Sequence, residues 1–223
     1  MNRFRLTTVR ERRGFTLLGW GMLSGTLVAL IILFTLTIYP FLALTRPAQG
    51  EVLVVEGWLP DYALEKVRDR FQDGNYQSLV TSGGELLVGS HLSRYKTWAQ
   101  LAAATLTAQG VPAEKIITAS APSVQKGRTY AAALEVKKQL AEKGLFPASL
   151  DVVSLGAHSR RTWMMYQMIF SPDTQVGIYS IQPRRYNPEQ WWSSSEGART
   201  IINETIAYLY ARFIFNPPTS REN

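Results

Sequence analysis

Between Gly14 and Thr45 the chain carries no Asp, Glu, Lys, Arg or His. The densest part of this stretch, Leu27–Leu44, reads LVALIILFTLTIYPFLAL. About 20 apolar residues carry a helix across a bilayer core. A lone spanning segment must be helical, because hydrocarbon offers no partners to backbone N–H and C=O groups. The run therefore predicts one transmembrane helix within residues 14–45. A signal peptide shares the basic start and the apolar run, but its apolar region is only about 7–15 residues long. Only LALT at Leu42–Thr45 offers a cleavage site, and a poor one. The reading favours an uncleaved anchor.

Charge sets the expected orientation. Arg3, Arg5, Arg10, Arg12 and Arg13 precede the apolar run against one Glu11, and only Arg46 follows closely. Cytoplasmic flanks collect Lys and Arg, so residues 1–13 read as a cytoplasmic basic arm. The rest is then exported, as the periplasmic or extracytoplasmic domain of a single-pass inner-membrane protein. Much of the net charge of +7 belongs to that arm, so the basic balance does not indicate nucleic acid as a partner. The chain has no cysteine, which excludes disulfides and thiolate catalysis.

After a short linker, residues 46–50, compact apolar runs alternate with helical patterns. EVLVV (51–55), SLVTSGG (78–84), KIITAS (115–120), LDVVSL (150–155) and QVGIYSI (175–181) read as strands. Continuous apolar runs of this length suit strands buried on both faces. Between them, residues 61–74, 93–110, 127–144 and 159–170 read as helices, and 189–215 as a final long one. The alternation predicts a Rossmann-like three-layer α/β domain over residues 51–216, with a mostly parallel sheet of about five strands. Residues 217–223 form a tail.

In such sheets ligands bind outside the carboxyl ends of the strands. Glu56 and Gly57 follow the first strand, Ser82, Gly83 and Gly84 the second, and Arg128 and Thr129 open the helix after the third. His158 and Arg161 follow the fourth. Gly83-Gly84 could form a backbone anion nest or merely a tight turn. His158, between a strand end and a helix start, could act as acid or base near neutral pH, or merely cap the helix. Arg161 could hold a phosphate or carboxylate. Glu204, among apolar neighbours, is either a partner for a site arginine or solvated. His91 lies in a polar loop. HExxH, GxSxG, GxGxxG and Walker motifs are all missing, and nothing suggests a metal site.

The order EGW, TSGG, AQGVPAEKI, GRTYAAAL, HSRRT and WWSSSEGARTIINETIAYLY resembles the YdcF/SanA/ElyC-like family of exported, membrane-anchored envelope proteins, over about Val52–Tyr210. The resemblance implies a Rossmann-like domain with a cleft at the strand ends. Gly83 and Gly84 match the family's glycine pair, Thr129 its helix-opening threonine, His158 and Arg161 its His-x-x-Arg, and Glu204 an acidic residue of the last helix. Where many members carry Glu and Asn shortly after the threonine, this chain has Ala131 and Ala132, so any role of those side chains is lost here. The resemblance implies work in peptidoglycan or surface-polysaccharide synthesis and envelope integrity, and a nucleotide-like ligand. It names no settled cofactor or reaction.

Three functions follow as expectations. One is an enzyme, a hydrolase or transferase, acting on an anionic or lipid-linked envelope molecule. In it His158 is catalytic, and Glu56, Gly57, Ser82, Gly83, Gly84, Thr129, Arg161 and Glu204 bind the ligand. The second is a non-catalytic binding domain that recruits envelope-synthesis proteins. The third is a structural anchor that docks a partner near Trp191 and Trp192.

Overall fold

A computed structural model describes residues 14–89 and 91–217. The expected basic arm and most of the expected tail lie outside them. The chain divides into two compact units, Met1–Thr37 and Ile38–Asn223.

The first unit holds most of helix α1, Leu17–Leu42, which is 26 residues long and apolar enough to cross a membrane. It starts and ends three residues inside the uncharged stretch. Two of its threonines bond back along the helix: Thr35 Oγ1 donates to the Ile31 carbonyl at 2.8 Å and Thr37 Oγ1 to that of Leu33 at 2.7 Å. Bonding back by one turn is how hydroxyls are accommodated in an apolar helix.

The second unit is built on five parallel strands: β1 (Val52–Glu56), β2 (Ser78–Gly83), β3 (Ile116–Ser120), β4 (Ser149–Leu155) and β5 (Gln175–Ile181), in the spatial order β3-β2-β1-β4-β5. β1, β2 and β4 are buried along nearly their whole length, as their unbroken apolar runs require. Helices α4 (Arg128–Glu142) and α5 (Ser159–Phe170) cover one face, packing on Val54, Val80 and Val152. Helices α2 (Asp61–Asp73) and α3 (Trp98–Ala108) cover the other, on Leu53, Val55 and Leu79. From β1 the chain winds outward to β3, then crosses back to lay β4 against the free side of β1. Strand order therefore reverses between β1 and β4.

Two helices depart from the expected bounds. The third begins at Trp98, five residues late, because Thr97 caps it by accepting from the Gln100 N–H at 3.2 Å, and Thr97 also bridges to Glu85. The last is two elements. A 3₁₀ turn, Pro188–Ser193, is followed by α6 (Ser195–Phe213), whose first turn is capped by the Ser194 hydroxyl at 3.0 Å from the Gly197 N–H. Serine is a strong N-cap, because its oxygen replaces a missing intrahelical acceptor.

Residues 46–50, expected as a linker, are sewn to the sheet. Arg46 exchanges two backbone hydrogen bonds with Ile178 on the open edge of β5, at 2.8 and 3.0 Å. The N–H groups of Ala48 and Gly50 donate to the two carboxylate oxygens of Asp151, each at 2.7 Å, and Tyr76 adds a third bond at 3.1 Å. Asp151 is fully buried. Gly177 has to be glycine here, since a Cβ would lie 1.9 Å from Asp151 Oδ1 and 2.3 Å from the Ala48 nitrogen.

Candidate functional site

The reversal of strand order leaves the carboxyl ends of β1 and β4 side by side, and the polar side chains of the domain converge there. Glu56 ends β1 with its carboxylate on the α4/α5 face, 5% exposed. Ser154, one residue from the end of β4, donates to Glu56 Oε2. Thr162 Oγ1, one turn into α5, lies 3.2 and 3.3 Å from the two carboxylate oxygens. Burying a carboxylate is costly unless it is hydrogen-bonded and paired, and this one is both.

His158 supplies the pairing. Gly156, with φ +48°, begins a tight 3₁₀ turn, Gly156–His158, that aims the imidazole back over the strand ends. That φ lies in the left-handed region glycine tolerates best. Nε2 of His158 lies 3.5 Å from Glu56 Oε1 and Nδ1 lies 2.9 Å from Glu204 Oε1. Trp58 closes one side, its ring edge-on to the imidazole with 5.1 Å between centroids. Burial alone would push the histidine pKa down, but the two carboxylates outweigh it and hold the value up at about 9. The ring is therefore an imidazolium at neutral pH, a proton donor rather than the base its unperturbed pKa would allow.

Arg161, one turn after His158, completes the group. Its Nε and Nη2 meet the two oxygens of Glu204 at 3.0 and 3.1 Å, and Nη1 donates to Thr129 Oγ1 at 3.2 Å. Two-point contact of this kind is the strong form of an arginine–carboxylate pair. Nη2 also lies 2.9 Å from His158 Nδ1. The roles there follow the ring proton: a protonated Nδ1 donates to Glu204 Oε1 and gives Arg161 no acceptor, whereas an unprotonated Nδ1 accepts from Arg161. Glu204, though burial opposes its charge, is held down to about 2 by His158 and Arg161. Glu56 likewise stays below the ordinary carboxyl value despite burial, through His158, Ser154 and Arg161.

The cluster thus holds two carboxylates, one imidazolium and one guanidinium, and is neutral overall. Glu204, His158 and Arg161 keep 16–19% of their side-chain surface open, so a ligand can reach them while Glu56 stays beneath. A hollow of about 610 Å³ lies elsewhere, at the amino end of the sheet around Arg70, Asp73 and Tyr179. It gathers none of these groups, and the convergence of titratable side chains is the better guide to chemistry.

Of the residues read from the sequence, the fold brings Glu56, Thr129, His158, Arg161 and Glu204 together. Ser82 stands beneath them. It is buried, donates to the Val55 carbonyl at 3.2 Å, and accepts from Tyr166 at 3.2 Å, so it supports the strand ends rather than facing a ligand. Gly57 and Gly83 serve packing: a Cβ on Gly57 would lie 2.5 Å from the Trp98 carbonyl oxygen, and one on Gly83 2.8 Å from Trp98 Cβ. Both let the start of α3 press onto the strand ends. Gly84 has room for a side chain, its nearest neighbour being the Ala121 carbonyl oxygen at 3.7 Å. His91 is exposed. Ser154, Thr162 and Trp58 were not singled out as site residues. A serine inside the apolar run of β4, and a threonine four residues after the histidine, were the available signals. Among the described residues no group of His, Asp and Glu has the arrangement of a metal site. No known protein-family model and no curated protein matches the chain.

Proposed function

We propose that this chain is a single-pass membrane protein of the YdcF/SanA/ElyC-like kind, N-terminus in the cytoplasm and α/β domain outside it, that acts in building or maintaining the cell envelope. In this reading the domain binds an anionic or nucleotide-like envelope molecule, such as a phosphate-bearing precursor, and acts on it as a hydrolase or transferase. The observation that carries the reading is the imidazolium of His158 clasped between Glu56 and Glu204, with Arg161 beside it, at the point where strand order reverses. A protonated histidine can deliver its proton to a leaving oxygen, and two carboxylates restore its charge cheaply. Arg161 can exchange one Glu204 oxygen for an oxygen of the ligand, because phosphate and carboxylate present it with similar geometry.

A second reading also has a specific observation behind it. Every charged group of the cluster is satisfied by another, which suits a binding or regulatory domain that recruits envelope enzymes without turnover.

The test is mass spectrometry of small molecules that co-purify with the full chain, followed by incubation of the chain with each ligand found. The first reading expects a phosphate-bearing ligand with wild type and His158→Gln, turnover with wild type alone, and neither with Arg161→Ala. Bound ligand with no turnover by wild type selects the second reading. Equal turnover by His158→Gln, or no ligand with any protein, removes the first.

A further inference from the structure

We propose that the outer face of α6 lies in the headgroup region of the membrane, as a second contact with lipid that holds the carboxyl edge of the sheet against the bilayer. The inference rests on reading α1 as a membrane span.

Helix α6 uses its surface in three ways. Glu204 faces the charged cluster. Ile201 and Tyr208 pack on Ile38 and Leu42, the last turn of α1, with Trp191 and with Ala157 beside the site histidine. Phe41 meets Tyr208 edge-on at 5.4 Å. The third face is apolar and uncovered among the described residues. Ile202, Ile206, Leu209 and Phe213 follow one another at intervals of four, three and four residues and are 51, 61, 48 and 75% exposed. That spacing forms one stripe, on the far side of the helix from Glu204. Trp192, in the preceding turn, is 46% exposed and extends the apolar surface. Contiguous exposed apolar surface of this kind marks an interaction site in a stable protein.

Lipid is the occupant that fits. Ile38 and Leu42 are both buried in the domain and continuous with the apolar helix. Residues 45–50 are bonded to the sheet, Thr45 to Ser180 at 3.1 Å and the next residues as described above. Ile38–Leu42 and the residues after them belong to the domain itself, so with α1 read as a span the elements packed on that turn stay close to the lipid surface. The flanks of the stripe carry arginines: Arg199, largely exposed, shares Glu196 with Arg185, each at 3.7 Å, and the guanidinium of Arg212 lies 5.8 Å from the Phe213 ring. An apolar stripe with arginines at its margins is how a helix lies in an anionic interface, stems on the apolar side and charges among headgroups. The β2–α3 loop leaves the same edge of the sheet and exposes Leu87, Val88 and Leu92. A helix is about 10 Å across, so the cluster on the inner side of α6 sits within reach of a headgroup without the lipid leaving its leaflet.

The cysteine-free chain makes the test direct. Single variants Leu30→Cys, Ile206→Cys, Phe213→Cys and Phe146→Cys of the full chain, labelled with an environment-sensitive fluorophore, are reconstituted into vesicles of phosphatidylglycerol and phosphatidylethanolamine. Quenching by bromine-bearing acyl chains and by aqueous iodide is then read. Leu30→Cys reports α1, and Phe146→Cys, 81% exposed at the other end of the domain, reports water. The proposal expects brominated lipid to remove roughly a third or more of the signal at positions 206 and 213, as for a helix buried at the acyl boundary, with iodide quenching only position 146. Adding Asp at positions 209 and 213 should abolish lipid quenching at 206 and leave position 30 unchanged. No lipid quenching at position 30 would overturn the span itself. Lipid quenching at 30 but iodide quenching at 206 and 213 would overturn the α6 contact alone. Protection of 206 and 213 from both quenchers would overturn it in favour of a protein partner.

Discussion

Two carboxylates lie buried among the described residues of this domain, near opposite ends of the same parallel sheet, and they are satisfied by different kinds of partner. Asp151 accepts from two backbone N–H groups and one tyrosine hydroxyl. Backbone amides do not titrate and cannot turn away, so this carboxylate acts as a staple, fixing residues 48–50 to β4. Glu56 accepts from two side-chain hydroxyls and pairs with an imidazolium. Its partners hydrogen-bond through rotatable hydroxyls or titrate, and the cluster opens to solvent on one side. Burial of a charged group is therefore not by itself a mark of function. What separates the two ends is whether the neutralising groups can exchange protons or change partners.

The comparison breaks most severely at Asp151. Asp151→Ala leaves two buried N–H groups and a tyrosine hydroxyl without their acceptor and should destabilise the second unit by about 4 kcal/mol, read from urea unfolding of the full chain in micelles by tryptophan fluorescence. Retained stability would mean the staple is redundant. Glu56→Ala should cost somewhat less, about 3 kcal/mol, because the buried Ser154 and Thr162 hydroxyls, 3.5 Å apart, can turn towards each other. Glu56→Gln, which keeps the shape and one acceptor oxygen but removes the charge, should let the His158 pKa fall from about 9 towards the ordinary histidine value. NMR titration reads this directly, since the chain has only two histidines and His91→Asn removes the other.

A smaller effect follows from pH. The folded pKa of His158 is raised from 6.5 to about 9, so the stability it contributes is fully present below pH 6.5 and is lost as pH rises through 9. Glu204 is shifted the other way, from 4.5 to about 2, so its contribution is present above pH 4.5 and is lost as pH falls through 2. Melting temperature should therefore be highest between these limits and fall from about pH 7 to 9. In His158→Gln the alkaline decline should flatten. The mildest contrast is between adjacent glycines. Gly83→Ala drives a Cβ against Trp98 and should cost about 1–3 kcal/mol, while Gly84→Ala should stay within about 0.5 kcal/mol. Equal effects would mean that α3 does not press on the strand ends as described.

Much of this architecture was legible because its causes are local. Continuous β-branched runs such as VLVV locate strands buried on both faces, and alternation with amphipathic helices implies parallel pairing. Cap chemistry was less visible: Thr97 and Ser194 start helices where periodicity alone runs on through them. Of the glycines, the doublet at 83–84 read as one feature, yet the two positions face different neighbours, and only the approach of Trp98 distinguishes them. Ser82 read as a ligand-binding residue because it stands at the end of an apolar strand, but register with Glu56 puts its side chain under the site, against Tyr166. The linker reading failed to anticipate Asp151, whose partners lie about a hundred positions away.

The sequence by itself determined an uncharged helix long enough for a bilayer, an alternating α/β domain, and a set of polar residues at strand ends. These follow from hydropathy, periodicity and the short reach of backbone preference. Only the tertiary structure decided which of those residues meet. His158 and Glu204 are brought together by the crossing of strand order at β1 and β4 and by the packing of α6. The charge state of the imidazole then follows from two carboxylates at hydrogen-bonding distance, because electrostatic shifts depend on separation in space and burial rather than on spacing along the chain.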